Sequence, residues 1–215
     1  MPDLFLPLLV LGVAMSFTPG PNNLMIAASG ANFGWHRSLP LALGIVLGFM
    51  TLVLAVGFGL GVAFDRYPLL HELLRYAGAA YLVWLGFRIA AGWGPKPDPP
   101  SEPGQGNGEA ATEDTATTGG RPIGFLQGAA LQWVNPKGWV LAVGAMAAYT
   151  LPDRPMTPQI LMIVATLGVL GVAAQLAWLG SGVLARRYLR SGRALQLFNL
   201  VLGSLCIASV IFIFV

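Results

Sequence analysis

Apolar residues run along the chain in six long blocks divided by polar stretches. The blocks are Leu4 to Ser29, Leu39 to Phe64, Leu69 to Ala91, Phe125 to Leu151, Ile160 to Leu184 and Ala194 to Val215. A helix needs roughly 20 apolar residues to cross a hydrocarbon layer of ~30 Å, and each block is long enough. The pattern predicts an all-α integral membrane protein with six transmembrane helices. Four separators are short: Gly34-Trp35-His36-Arg37, Asp65-Arg66-Tyr67-Pro68, Pro152-Asp153-Arg154-Pro155, and Arg186 to Arg193.

The fifth separator, Gly92 to Pro122, is long. It carries Pro97, Pro99, Pro100 and Pro103, with Glu102, Glu109, Glu113 and Asp114, and almost no large apolar side chain. Such a stretch cannot bury enough surface to offset its ordering entropy, so a disordered linker is expected. It divides the chain into a first three-helix repeat (1–91), the linker (92–122) and a second three-helix repeat (123–215).

Two blocks are interrupted. Ser16-Phe17-Thr18-Pro19-Gly20-Pro21-Asn22-Asn23 lies inside the first. Each proline removes a backbone donor and clashes one turn back, so the helix is expected to stop, turn and restart. Val134-Asn135-Pro136-Lys137-Gly138 interrupts the fourth block in the same way. Helices 1 and 4 are thus predicted to be broken. With three spans per half the repeat is inverted, and paired breaks in corresponding positions point to a transport site. Unwound backbone at membrane depth is tolerated only where protein buries it or a wet cavity adjoins it.

Composition agrees with the pattern. The 215 residues are 55% hydrophobic and only 10% charged, with a mean hydropathy of +0.69. Soluble domains carry about 25% charged residues. Met1-Pro2-Asp3 lacks the basic region of a signal peptide, so the first block is expected to be retained. One cysteine, Cys206, excludes an intramolecular disulfide and a cysteine-built metal cage.

The placement of lysine and arginine sets an orientation. The first, third and fifth connections carry Arg37; Arg88, Lys96 and Arg121; then Arg186, Arg187, Arg190 and Arg193. The others carry only Arg66, Arg75 and Arg154. By the positive-inside rule the odd connections, with the 92–122 linker, are cytoplasmic and both termini lie outside. Arg75 and Arg88 are too close in sequence to bracket a ~30 Å layer, so at least one is expected to snorkel or point inward.

Candidate chemistry gathers at the breaks. Asn22 and Asn23 follow Pro21, where a restarted helix would offer free N–H groups to a carboxylate. The competing reading is that Asn22 only caps that helix. Asn135 is a candidate cap, with Pro136 at the first helical position. Lys137 then falls near the middle of its span, where an ammonium costs about 2.5–3.5 kcal/mol and calls for a partner or a water-filled cavity. It is a candidate substrate ligand and proton carrier; alternatively it bonds carbonyls left free by the first break. Ser16 and Gln132 adjoin the breaks. Gln175 and Thr51 read as interhelical hydrogen-bonding groups. Ser16, Thr18, Pro19, Gly20, Pro21, Asn22, Asn23, Gln132, Asn135, Pro136 and Lys137 form the candidate substrate-binding set.

All nine Asp and Glu residues fall in connections or at block ends. A cationic substrate would want an intramembrane carboxylate, so a neutral zwitterion fits better. No paired carboxylates, zinc-spaced histidines or serine elbow appear, so no enzyme, cofactor or nucleic-acid partner is expected. Gly57-Phe58-Gly59-Leu60-Gly61 follows no strand and reads as helix packing. Gly44-x-x-x-Gly48 serves either an internal contact or a homodimer.

Thr18-Pro19-Gly20-Pro21-Asn22-Asn23 is similar to the opening signature of the LysE/RhtB amino-acid exporters. So are Ala28-Ser29-Gly30-Ala31-Asn32-Phe33-Gly34 and the following Gly44-x-x-x-Gly48-Phe49. Gly78-Ala79-Ala80-Tyr81-Leu82-Val83-Trp84-Leu85 resembles the family's third span. Phe125 with Gln132-Trp133-Val134-Asn135-Pro136-Lys137 resembles its fourth. The resemblance covers the chain except Gly92 to Gly120, and looks nearest the cysteine and O-acetylserine exporter branch. It implies proton-driven export of amino acids or close derivatives across a bacterial inner membrane. The expected mechanism is alternating access, one half rocking against the other around a midplane site. The rival expectation is a membrane scaffold or sensor that acts through its cytoplasmic linker.

Overall fold

The computed structural model describes residues 2–60, 68–92, 122–151, 153–189 and 192–211. Among them the secondary structure is helical throughout: α1 Pro2–Phe17, α2 Pro21–Phe33, α3 Trp35–Ala55, α4 Pro68–Ala90, α5 Phe125–Val134, α6 Pro136–Tyr149, α7 Met156–Tyr188 and α8 Gly192–Ala208. The linker from 93 to 121 lies outside the described residues, as do Arg66, Arg190 and the last four residues. The arginine count behind the predicted orientation falls partly there.

Both predicted breaks are present. α1 and α2 meet at 51° and together have the apolar length of one span. α5 and α6 are separated by Asn135 alone, held extended at φ −88° and ψ 109°. Among the described residues α3 and α7 are each long and apolar enough to cross a membrane, which makes two candidate spans, or three with the bent pair. Large apolar side chains are exposed around the helices, among them Leu6, Val10, Leu47, Phe87, Val169 and Leu197. Such a surface suits lipid and not water.

Boundaries differ locally from the sequence expectation. α3 starts at Trp35, four residues before the apolar block, because a single residue, Gly34, turns the chain out of α2. Gly34 sits at φ 80°, which favours glycine. The glycine run after α3 winds into a π-helical turn, Val56–Leu60, and Gly59 at φ 107° leaves helical geometry. Gly57 still packs closely, since a Cβ there would lie 2.9 Å from Ile160 Cγ2, whereas Gly59 ends the helical geometry. Gly61 lies outside the described residues.

The main helix pairings join the two halves of the chain. α3 packs chiefly on α5, α2 on α7, α4 on α8, and α3 also on α7. Glycines permit the closest approaches. A Cβ on Gly44 would fall on the Phe125 carbonyl oxygen, and one on Gly48 would lie 2.5 Å from Ala129 Cα. Gly44-x-x-x-Gly48 therefore faces α5 and is not a surface for a second copy. Gly30 and Gly182 serve the α2–α7 crossing in the same way, Gly30 against the Leu179 carbonyl and Gly182 against that of Ala27.

Buried apolar side chains form two clusters. One gathers around Met25, Ile26, Ile45, Leu82, Leu85 and Leu179. The other gathers around Leu8, Leu52, Leu141, Ile163 and Leu167. Residues beside the breaks belong to or pack against both: Leu24 and Val134 at the first cluster, Met15 and Trp133 at the second.

Candidate functional site

At the first break α1 ends with unpaired carbonyls and α2 begins with unpaired N–H groups, as every helix must. Asn23 deals with the carbonyls. Its Nδ2 donates to Ser16 O and Thr18 O, both at 2.9 Å. Thr18 Oγ1 donates to Ala14 O. Pro21 takes the first helical position, so the cap position falls to Gly20, which has no capping side chain. Asn22, read as a candidate cap, is therefore two residues past the cap position. A proline at the first position already implies this, since the residue before it must be the cap. Among the described residues, the N–H groups of Asn22 and Asn23 have no acceptor.

The second break has a similar sequence and the opposite outcome. Asn135 caps α6: its Oδ1 accepts from Lys137 N at 3.2 Å. Its carbonyl accepts from Gly138 N at 3.0 Å and Trp139 N at 3.3 Å. Across the break, Trp139 Nε1 donates to Trp133 O at 2.9 Å. The start of α6 is thus closed, whereas the start of α2 is open. Asn135→Ala should lower thermal stability by about 1 kcal/mol, the usual loss of a side-chain cap. Chemical or thermal unfolding in detergent would measure it; no change would mean that water replaces the cap.

Side chains tie the two breaks together. Asn22 Nδ2 donates to Gln132 Oε1 at 2.8 Å, and Gln132 Nε2 returns a bond to Asn22 Oδ1 at 3.2 Å. Gln132 Nε2 also donates to Gly128 O at 3.1 Å. Lys137 Nζ reaches back to Thr18 O at 2.7 Å, and its Cδ lies 3.1 Å from where a Cβ on Gly20 would stand. The bond to a carbonyl freed by the first break was one of the two readings of Lys137. Gln175 Nε2, from α7, donates to Asn23 Oδ1 at 3.0 Å.

These residues surround a cavity of about 540 Å³, its open mouth included. Of the predicted set, Ser16, Gly20, Pro21, Asn22, Asn23, Gln132, Asn135 and Lys137 line it. Thr18, Pro19 and Pro136 do not; Thr18 contributes through its carbonyl, and Pro19 is exposed. The set omits Gln175 and an apolar wall that includes Met15, Ile45, Val46, Phe49 and Leu141. No local signal separates that wall from other lipid-span residues. Lys137 is the single charged residue among the lining side chains, and no carboxylate joins it.

The lining offers N–H donors, an ammonium, neutral amides and apolar side chains. It suits a small molecule with a carboxylate. The family model of the LysE type translocator matches residues 13–214. A cysteine/O-acetylserine efflux protein of Escherichia coli O157:H7 is 32% identical over 201 residues, covering 93% of this chain and 91% of that protein. The protein of that name from strain K12 is 30% identical over the same shares. No solved structure matches. The resemblance expected from the breaks is thus borne out along nearly the whole chain, which belongs to the LysE type translocator family.

Proposed function

We propose that the protein is a secondary transporter that exports small neutral amino acids or close derivatives across a bacterial inner membrane. One observation carries the reading: the cavity between the breaks has an ammonium and an open helix start but no carboxylate. The substrate carboxylate sits against the N–H groups of Asn22 and Asn23, with Lys137 beside it. Its side chain lies toward Met15, Phe49 and Leu141. Asn23 works mainly through its backbone, because its side chain already holds the end of α1. The names of the relatives favour cysteine or O-acetylserine as substrate.

In this reading each broken pair counts as one span. The chain then has six spans in two inverted repeats, with both termini outside and the 92–122 linker in the cytoplasm. Protons are the coupling ion, and Lys137 is the one titratable side chain lining the cavity. The interlocked packing of the halves argues against one half rocking as a block. A smaller unit fits better: α1, which packs chiefly on α7 and touches α6. Substrate that draws Lys137 from Thr18 O would loosen the end of α1.

Counterflow in proteoliposomes tests the proposal. Labelled L-cysteine, O-acetyl-L-serine and L-lysine are compared with and without a pH difference. The neutral compounds should exchange, with faster net flux down a proton gradient, and lysine should not. Exchange of none of them refutes the function; indifference to pH refutes the coupling. Deleting residues 97–119 should leave counterflow within about twofold of wild type, because the described cavity lining comes from the helices and the two breaks. Loss of the physiological effect with that deletion, and not with damage to the breaks, would support the scaffold reading instead.

A further inference from the structure

Among the described residues two buried side-chain polar atoms have no hydrogen-bond partner, Tyr81 Oη and Gln175 Oε1. Of these residues only Gln175 lines the cavity. Its orientation is dictated by its neighbours. Asn23 must present nitrogen to the carbonyls of Ser16 and Thr18, because a carbonyl only accepts. Asn23 therefore turns Oδ1 toward Gln175, and Gln175 must answer with Nε2. Flipping the Gln175 amide would set two oxygens against each other. The bare Oε1 is thus a consequence of the break itself, fixed by two backbone carbonyls on α1.

We propose that Gln175 is a specificity-determining residue: its Oε1 accepts a hydrogen bond from the α-ammonium of the bound amino acid. This rests on the transport function proposed above. Lys137 and the start of α2 are donors and can serve only the carboxylate. The ammonium needs an acceptor. The amide oxygens of Asn22, Asn23, Gln132 and Asn135 already accept hydrogen bonds. Ser16 Oγ remains, but a hydroxyl can donate as readily as accept. Gln175 Oε1 accepts only, so it distinguishes a zwitterion from a plain carboxylic acid.

The test is inhibition of L-cysteine counterflow in proteoliposomes. The probes are L-cysteine, 3-mercaptopropionate (the same molecule without its amino group) and cysteamine (without its carboxylate). If another neutral amino acid is carried instead, that acid, its desamino analogue and its decarboxylated amine are used. Wild type should prefer the zwitterion to the desamino acid. Gln175→Leu should weaken the zwitterion about ten- to hundredfold, as for a lost hydrogen bond to a charged group. The desamino acid should be unchanged within about threefold. Gln175→Glu gives up the donor to Asn23 Oδ1 but puts a charge at the same position, and should improve inhibition by the amine about tenfold. It decides the matter alone if the leucine variant does not fold.

A wild type indifferent to the amino group overturns the assignment while transport stands. So do variants in which zwitterion and desamino acid move together, or a glutamate variant that treats the amine as wild type does. A wild type that carries no neutral amino acid overturns the function, and this assignment with it.

Discussion

Lys137→Ala is expected to abolish export, with a fall of about a hundredfold or more in kcat/KM, and to leave the protein folded in the membrane. The magnitude follows from removing one member of a shielded charge pair, about 2–5 kcal/mol. The substrate carboxylate would keep the N–H groups of α2 but lose its counter-charge. Folding should survive because Lys137 Nζ makes one hydrogen bond, to Thr18 O. That carbonyl keeps a second donor in Asn23 Nδ2. The cap of α6 uses the backbone of Lys137 and not its side chain. Removing an intramembrane ammonium also removes an insertion cost of roughly 2.5–3.5 kcal/mol. Thermal stability should therefore hold or rise while counterflow disappears. Normal counterflow would take Lys137 out of the site. Loss of folded protein together with counterflow would make its role structural.

Gly44→Leu should have the largest effect on folding. A Cβ there would meet the Phe125 carbonyl carbon at 2.9 Å and Cα at 3.0 Å, besides the oxygen. Overpacking typically costs about 1–3 kcal/mol when side chains can shift. Here the opposing atoms are backbone, so about 3 kcal/mol or more is expected, a large share of a marginal stability of ~5–15 kcal/mol. The α3–α5 pairing should open, and little monodisperse protein should be recovered in detergent. Gly144→Ala is the control: nothing lies within 4 Å of its Cβ. Alanine there should be neutral or stabilising by up to about 1 kcal/mol. A Gly44→Leu protein that stays folded but changes its oligomeric state would return the glycine pair to a dimer surface.

The resemblance and both breaks were legible because proline acts locally, and a family signature is a string of neighbouring residues. Eight of the cavity residues were legible for the same reason: they sit at or beside the breaks. Gln175 was not. From the sequence it is one polar residue in a long apolar helix, and interhelical bonding is the sound default. That default holds, since it bonds Asn23, 152 positions away in the chain. What the default misses is the oxygen that the bond leaves over.

Residues and their near neighbours alone establish that the chain is apolar enough for a membrane, where its two broken helices are interrupted, and that its carboxylates stand in connections or at block ends. That one restarted helix is open and the other closed is local too, since Gly20 precedes Pro21 and Asn135 precedes Pro136. The tertiary structure decided which side chains cross between the breaks. It also decided that Gly44 meets Phe125, and that α7 brings an unpartnered acceptor to the first break. The reason is that backbone donors and acceptors are satisfied by whatever the fold brings within about 3 Å. Those partners lie far apart in the chain, as Asn23 and Gln175 do.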